Sequence, residues 1–352
     1  MTWNGKALPK ELVSPTENSS WRARTGPSGI LSHLGPAANW RDDTIAFNWR
    51  SYLLFLGWLA HCGRYESTAS ASSRLTIDLI IGFIEEMRRR GNAAATILMR
   101  VLALERVLAV LASQVDRSEL RVIIRNLPEG RDASAKRARL QETAVLVNLG
   151  ISLMMHVEKP GKRLTRQLAT MFRDGLQIAL LALRPFRRGN FTALEIGKHL
   201  VKRGEVWWLV IEPEETKNGA FIEVPFPADL VPWLEKYLNL YRPLLAGSKY
   251  QGQALWVSYW FTAQDDTSVY GQIVSRTEDA FGVGLNPHLF RHCLATSLAI
   301  NEPEMVRISH VMLANDVATC ERDYNIAMMH VAGKRLGGTV HELRARLRRP
   351  KR

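Results

Sequence analysis

A β-rich run, Val206-Trp207-Trp208-Leu209-Val210-Ile211, interrupts a chain whose apolar residues up to that point recur at helical spacing. Behind it, Thr216-Lys217-Asn218-Gly219 reads as a turn, because Asn-Gly is the strongest short hairpin signal. Phe221-Ile222-Glu223-Val224 then alternates as a returning strand. One more short strand is expected over 254–258. The chain therefore reads as mainly α with a small β-sheet.

The helical part divides in two. From Asp42, the residues Phe47, Tyr52, Leu53, Leu56 and Leu59 fall near one helix face. Thr76 is placed to cap a second helix that runs to Met87, with Ile77, Ile80, Ile81 and Ile84 as its apolar stripe. A third helix is expected over 92–114 and a shorter fourth over 119–125. These make residues 41–128 a small all-helical domain. Ahead of them, residues 1–40 are broken by Pro9, Pro15, Pro27 and Pro36 and by Gly26, Gly29 and Gly35, and read as a flexible N-terminal segment. Pro128-Glu129-Gly130 breaks the chain. Residues 129–139, with Lys136, Arg137 and Arg139, read as a basic linker. A second domain, 140–352, opens with a helix over 142–156 and a long helix ending near Arg184. Further on, helices are expected over 230–241 and from Asn286-Pro287, with Asn as the cap and Pro at the first position. A C-terminal helix over 339–349 begins at the capping box of Thr339 and Glu342.

The 352 residues are 46% hydrophobic, enough to bury two cores. Lys and Arg number 47 against 34 acidic residues, a formal net charge of +13, which favours a polyanionic partner. No apolar run approaches the roughly 18 residues of a membrane span, and the longest, 177–183, is far shorter. No signal peptide is expected. Cys62, Cys293 and Cys320 have no metal spacing, and a cytoplasmic protein follows. Trp207, Trp208, Trp256 and Trp260 read as strand and core packing. His199, His330 and His341 lack ligand spacing and read as structural or exposed.

Phosphodiester transfer needs cationic donors for the nonbridging oxygens, a positioned nucleophile and a proton for the departing oxygen. Two arginines and a lysine can supply the first and third, and a tyrosine can be a covalent nucleophile. His288 and Arg291, three apart behind the Asn286-Pro287 start, share one helix face near a donor-rich N-terminus. Arg184 closes the apolar segment 178–183, where it is either a helix-terminal arginine or a functional charge. Lys217 stands at the hairpin tip. Tyr324 lies in Glu321-Arg322-Asp323-Tyr324-Asn325, which by itself is an ordinary helical tyrosine.

In that order, Arg184, Lys217, His288-x-x-Arg291 and Tyr324 resemble the tyrosine recombinases, the phage integrase family. The resemblance spans roughly residues 42–335. Ala182-Leu183-Arg184 followed by Leu194-Glu195-Ile196 resembles the first-arginine segment. Glu215-Thr216-Lys217-Asn218 leading to Val224-Pro225 resembles the lysine hairpin. Asn286-Pro287-His288-Leu289-Phe290-Arg291-His292 followed by Ala295-Thr296 resembles the histidine–arginine box. Arg184-Pro185-Phe186-Arg187-Arg188 and Trp207-Trp208 suggest a bacterial mobile-element branch.

The resemblance implies a helical core-binding domain and a mixed α/β catalytic domain that clamp double-stranded DNA as a C shape. It implies that Tyr324 forms a 3′-phosphotyrosine link, that Arg184 and Arg291 hold the nonbridging oxygens, that Lys217 protonates the 5′-hydroxyl, and that His288 hydrogen-bonds the phosphate. It further implies a homo-tetramer on two DNA sites, with no metal, cofactor, small-molecule substrate or membrane. Two departures stand out. The family usually has Glu three residues after its first arginine, where this chain has Arg187. The family's His or Trp before the tyrosine is replaced by Ala314 or Asn315, depending on the direction of counting, with His310 about one turn early. Two alternatives therefore stand beside a recombinase or integrase. One is a type IB topoisomerase-like enzyme, which efficient relaxation without paired sites would reveal. The other is a catalytically weakened, sequence-specific DNA-binding regulator.

Overall fold

The structure, a computed structural model, describes residues 3–25, 37, 40–130, 138–161 and 163–302. The C-terminal helix expected over 339–349 and part of the basic linker lie outside the described residues. The chain forms two compact units, Met1–Ala133 and Ser134–Arg352. It is mainly helical, with one three-stranded antiparallel sheet.

The first unit contains α1 (Pro15–Thr25), α2 (Asp42–His61), α3 (Ala71–Arg74), α4 (Ile77–Arg89), α5 (Ala94–Leu111) and α6 (Ser118–Asn126). The α2 and α5 helices form its centre, and Tyr52, Phe55, Leu56, Leu59, Ile80, Val101 and Leu104 are fully buried. Thr76 is the residue before α4, but its side chain makes no capping bond. The segment read as flexible differs from expectation. Trp3, Leu8, Val13 and Trp21 belong to the core, and Trp21 stacks on Trp49 at 5.0 Å. Glu17 in α1 accepts from Tyr52 Oη (2.7 Å) and pairs with buried Arg74 (3.1 Å). These contacts are distant in sequence, so the Pro- and Gly-rich composition hid them.

The second unit is built on α7 (Thr143–Val157) and α8 (Arg166–Leu183). They approach closely because Gly150 and Gly175 face each other. A Cβ on Gly150 would lie 2.4 Å from the Gly175 carbonyl oxygen. Every α8 residue from Phe172 to Ala182 is buried. After the short α9 (Arg188–Thr192) come β1 (Leu200–Arg203), β2 (Val206–Ile211) and β3 (Ile222–Pro225), in the order β1-β2-β3. Strands β2 and β3 match the sequence expectation. Strand β1 was missed because three of its four residues are polar or half-buried at a sheet edge. It joins β2 through Gly204-Glu205, with Gly204 in the left-handed region at φ +61°. The Asn218-Gly219 turn does not join the strands directly. It lies inside the longer connection 212–221, which also holds a 3-10 turn, Pro213–Glu215.

Residues 254–258 make isolated bridges to Glu195 and Ala263 rather than a strand. Trp256 is fully buried and donates to the Phe191 carbonyl (2.9 Å). Trp260, read as core packing, is 77% exposed. The chain then forms α10 (Val231–Lys236), a π-turn over Tyr237–Tyr241, α11 (Arg242–Ala246), α12 (Asp266–Phe281) and α13 (Pro287–Asn301). Asn286 caps α13, its side chain accepting from Leu289 N (3.1 Å). Helices α12 and α13 both pack on α8. No helix among the described residues is long and apolar enough to cross a membrane.

The glycine contact is testable. Gly150→Ala is expected to cost about 1–3 kcal/mol by overpacking, read as a lower midpoint in denaturant. An unchanged midpoint would contradict the close approach of α7 and α8.

Candidate phosphoryl-transfer site

Arg184 sits at the C-cap of α8, where the buried helix emerges. It is half-buried, and burial lowers its guanidinium pKa from the ordinary value. Its Nη1 donates to the Leu183 carbonyl (3.0 Å) and its Nη2 reaches the Pro225 carbonyl at the end of β3 (3.4 Å). Its Nε is buried with no partner among the described residues. A guanidinium has five N–H donors. Among the described residues this one is held by two main-chain carbonyls, and its Nε is left over.

Arg291 comes from the first turns of α13 and is buried. Its Nη1 donates to the carbonyl of Pro185, the residue after Arg184 (2.6 Å). That bond ties Arg291 to the residue next to Arg184, 106 positions away in sequence. One turn earlier, His288 is exposed, with its Nε2 at 3.3 Å from His292 Nε2. The two rings meet edge to face, with 4.9 Å between centroids. His292 is buried and steadies the exposed ring.

Lys217 is exposed on the 212–221 connection. That connection is tied to the segment following Arg184 at two points. Arg187 Nη1 donates to Asn218 Oδ1 (2.9 Å), and Asn190 Nδ2 donates to the Glu215 carbonyl (2.7 Å). Arg187, three residues after Arg184, thus fastens the residue beside Lys217. The structure therefore links the segments that carry Arg184, Lys217, His288 and Arg291. Tyr324, with His310, Ala314 and Asn315, lies outside the described residues.

No family model matches the sequence, and no curated protein does. Solved structures do. The XerH site-specific recombinase bound to palindromic difH substrate, a post-cleavage complex, is similar at TM-score 0.59 and 15% identity, over 95% of this chain and 99% of that one. The XerH pre-cleavage complex with difH substrate is similar at TM-score 0.55 and 14% identity, over 92% and 90%. The fold is that of the tyrosine site-specific recombinases. The likeness is one of fold, because the sequences have diverged to about one residue in seven shared.

Within this recombinase fold several residues carry contacts that sequence reading did not assign. Arg187 and Asn190 bind the lysine connection. His199, read as structural or exposed, is buried and bonded to Glu215. No signal along the chain pointed to this, since the partners lie in separate elements, 16 positions apart. Among the described residues no group of three or more His, Cys, Asp or Glu side chains is arranged to hold a metal ion. A concavity of about 310 Å³ beside α9 is lined in part by Glu195 and by Asp266, which pairs with Arg188 at 2.6 Å. Tyr237 is fully buried, and burial pushes it up to about 12, which leaves it no access to a substrate.

The Glu215 carboxylate offers a titration test. Hydrogen bonds from Lys198 and His199 lower it from its ordinary 4.5 to about 2. A carboxyl depressed in the folded state stabilises the fold above the unfolded value, and that contribution fades as pH falls from about 4.5 towards 2. Carbon NMR of labelled glutamate should show Glu215 titrating near 2. It should move upward in Lys198→Met. A value insensitive to that change would contradict the pairing.

Proposed function

We propose that this protein is a site-specific DNA recombinase or integrase. It cleaves and rejoins double-stranded DNA through a 3′-phosphotyrosine intermediate at Tyr324. The observation that carries the reading is the Arg291 bond to the Pro185 carbonyl, which sets the histidine–arginine turn beside Arg184. The Arg187–Asn218 bond adds the lysine connection to the same neighbourhood.

The chemistry follows from these groups. Tyr324 Oη attacks the scissile phosphorus, and its proton passes to His288. The Arg184 and Arg291 guanidiniums take up the charge on the nonbridging oxygens. The P–O5′ bond breaks, and Lys217 Nζ gives the departing oxygen a proton. A 5′-hydroxyl of a second strand reverses the steps and frees the tyrosine. The phosphotyrosine bond conserves the energy of the broken phosphodiester. The cations do the work that a metal does elsewhere, so the reaction is metal-independent. The exchange runs in a tetramer on two DNA sites, in the cytoplasm of a bacterium carrying a mobile element.

A second reading rests on Met312-Leu313-Ala314-Asn315-Asp316, which lacks His or Trp before Tyr324. It makes the chain a catalytically weakened DNA-binding regulator. A pool of nicked duplexes with a randomised site separates the two. The recombinase reading predicts a denaturant-resistant protein–DNA adduct that Tyr324→Phe abolishes. Sequence-selective binding with no adduct, or an adduct that survives Tyr324→Phe, would overturn it.

Two further outcomes follow from distributed binding. Arg291→Ala should slow adduct formation roughly 100-fold or more and leave most DNA affinity, because binding is spread over many phosphates. Parallel loss of both would contradict its role. Affinity should fall roughly 1,000-fold between 50 and 200 mM salt if about six phosphates are contacted. A flat salt response would count against DNA as the partner.

A further inference from the structure

Lys217 lies on a connection of ten residues, 212–221, between the paired residues Ile211 and Ile222. A long, exposed connection places a side chain loosely unless something anchors it. This one is closed on itself and fastened to the body of the unit. Thr216 is buried, and its hydroxyl lies 3.1 Å from the Pro213 carbonyl and 2.9 Å from the Ala220 carbonyl. The Glu215 carboxylate carries the fastening. Its Oε1 accepts from Lys198 Nζ (2.5 Å), and both its oxygens lie within reach of His199 Nε2 (3.1 and 3.0 Å). Its Oε2 also faces Glu212 N (3.4 Å), closing a capping box over the 3-10 turn.

His199 is the fixed side of this contact. Its side chain is 6% exposed. Its Nδ1 accepts from Glu195 N (3.0 Å). The ring proton therefore sits on Nε2 and points at the carboxylate. A lone Lys198–Glu215 pair, with Lys198 Nζ in solvent, holds a loop weakly. A buried histidine with a set tautomer, held on main chain, gives the carboxylate one defined position. Glu215 is two residues before Lys217, across the buried Thr216.

We infer that His199 and Glu215 form a lock that sets the position of Lys217 for proton donation, and that both are positioning residues. The inference rests on the recombinase reading of this site. In the step concerned, the P–O5′ bond breaks, the electron pair goes to O5′, and a proton moves from Lys217 Nζ to O5′. The lock acts on that proton transfer and on no other part of the reaction.

Replacing O5′ by sulfur at the scissile phosphate tests this. The departing thiolate needs no proton, because a thiol has a pKa of about 8.5. Adduct formation is measured on two nicked duplexes that differ only in that atom. The proteins are the full-length chain and its Glu215→Ala, Glu215→Gln, His199→Gln and Lys217→Ala variants. Glu215→Ala should be slowed roughly 10-fold or more on the oxygen substrate and return to about the wild-type rate on the sulfur substrate. Lys217→Ala should behave in the same way. Glu215→Gln, which keeps one acceptor oxygen, should fall between, as should His199→Gln. Glu215→Ala acting at the wild-type rate on oxygen would overturn the lock, and so would a defect of equal size on both substrates. A Lys217→Ala defect that sulfur does not relieve would remove the acid that the lock is meant to place. Wild-type protein that forms no adduct on either duplex would instead sink the recombinase reading.

Discussion

Helix α8 can be buried on every side from Phe172 to Ala182 only if other elements cover all of its faces. The α7 helix covers one face through the Gly150–Gly175 approach, and α12, α13 and the π-turn cover others. The helix therefore has no freedom to slide. Where it emerges, Leu183 and Arg184 are half-buried and the chain turns. The place of Arg184 is thus fixed by the packing of the whole second unit. The Arg291 bond to the next residue transmits that placement to α13.

The polar residues inside this core serve the same end. Arg173 and Asp174 are buried on α8 and pair at 2.6 Å. Arg173 also donates to the Val257 carbonyl (2.7 Å) and to Gln272, and Arg276 pairs with Asp174 (3.1 Å). A buried ion pair of this kind contributes little net stability, since desolvation offsets attraction. Removing one member costs more, because a charge is left uncompensated. The network ties α8 to α12 and to the 254–264 segment in a single register. The site itself has the opposite character. Arg184 keeps a buried Nε without a partner among the described residues, and Lys217 and His288 are exposed. Arg173 is thus held by side-chain and main-chain acceptors together, whereas Arg184 is held by the Leu183 and Pro225 carbonyls among the described residues.

Much of the fold was legible because its signals are local. The apolar stripe of α4, the Asn286-Pro287 start of α13 and the β2 run each lie within one element. What was missed depends on distant partners. The α1 helix is polar, and it is held by Trp21 on Trp49 and by Glu17 on Arg74 and Tyr52. Strand β1 is short, and it is defined by its pairing with β2. At the site, the order of Arg184, Lys217, His288 and Arg291 could be read along the chain. The contacts that join their segments could not, because Arg187–Asn218, Asn190–Glu215 and His199–Glu215 each join residues 16 or more positions apart. The Arg187 departure looked like a lost acid, yet its side chain binds beside Lys217.

The central claim is that these cations serve a nucleophile at Tyr324. Mass spectrometry of the trapped adduct, digested with trypsin and nuclease, tests it most directly. Trypsin cuts after Arg322 and Lys334, releasing a peptide in which Tyr324 is the one tyrosine. The account predicts a residual nucleotide mass on that peptide, localised to Tyr324 by fragmentation. A nucleotide on any other residue would contradict it.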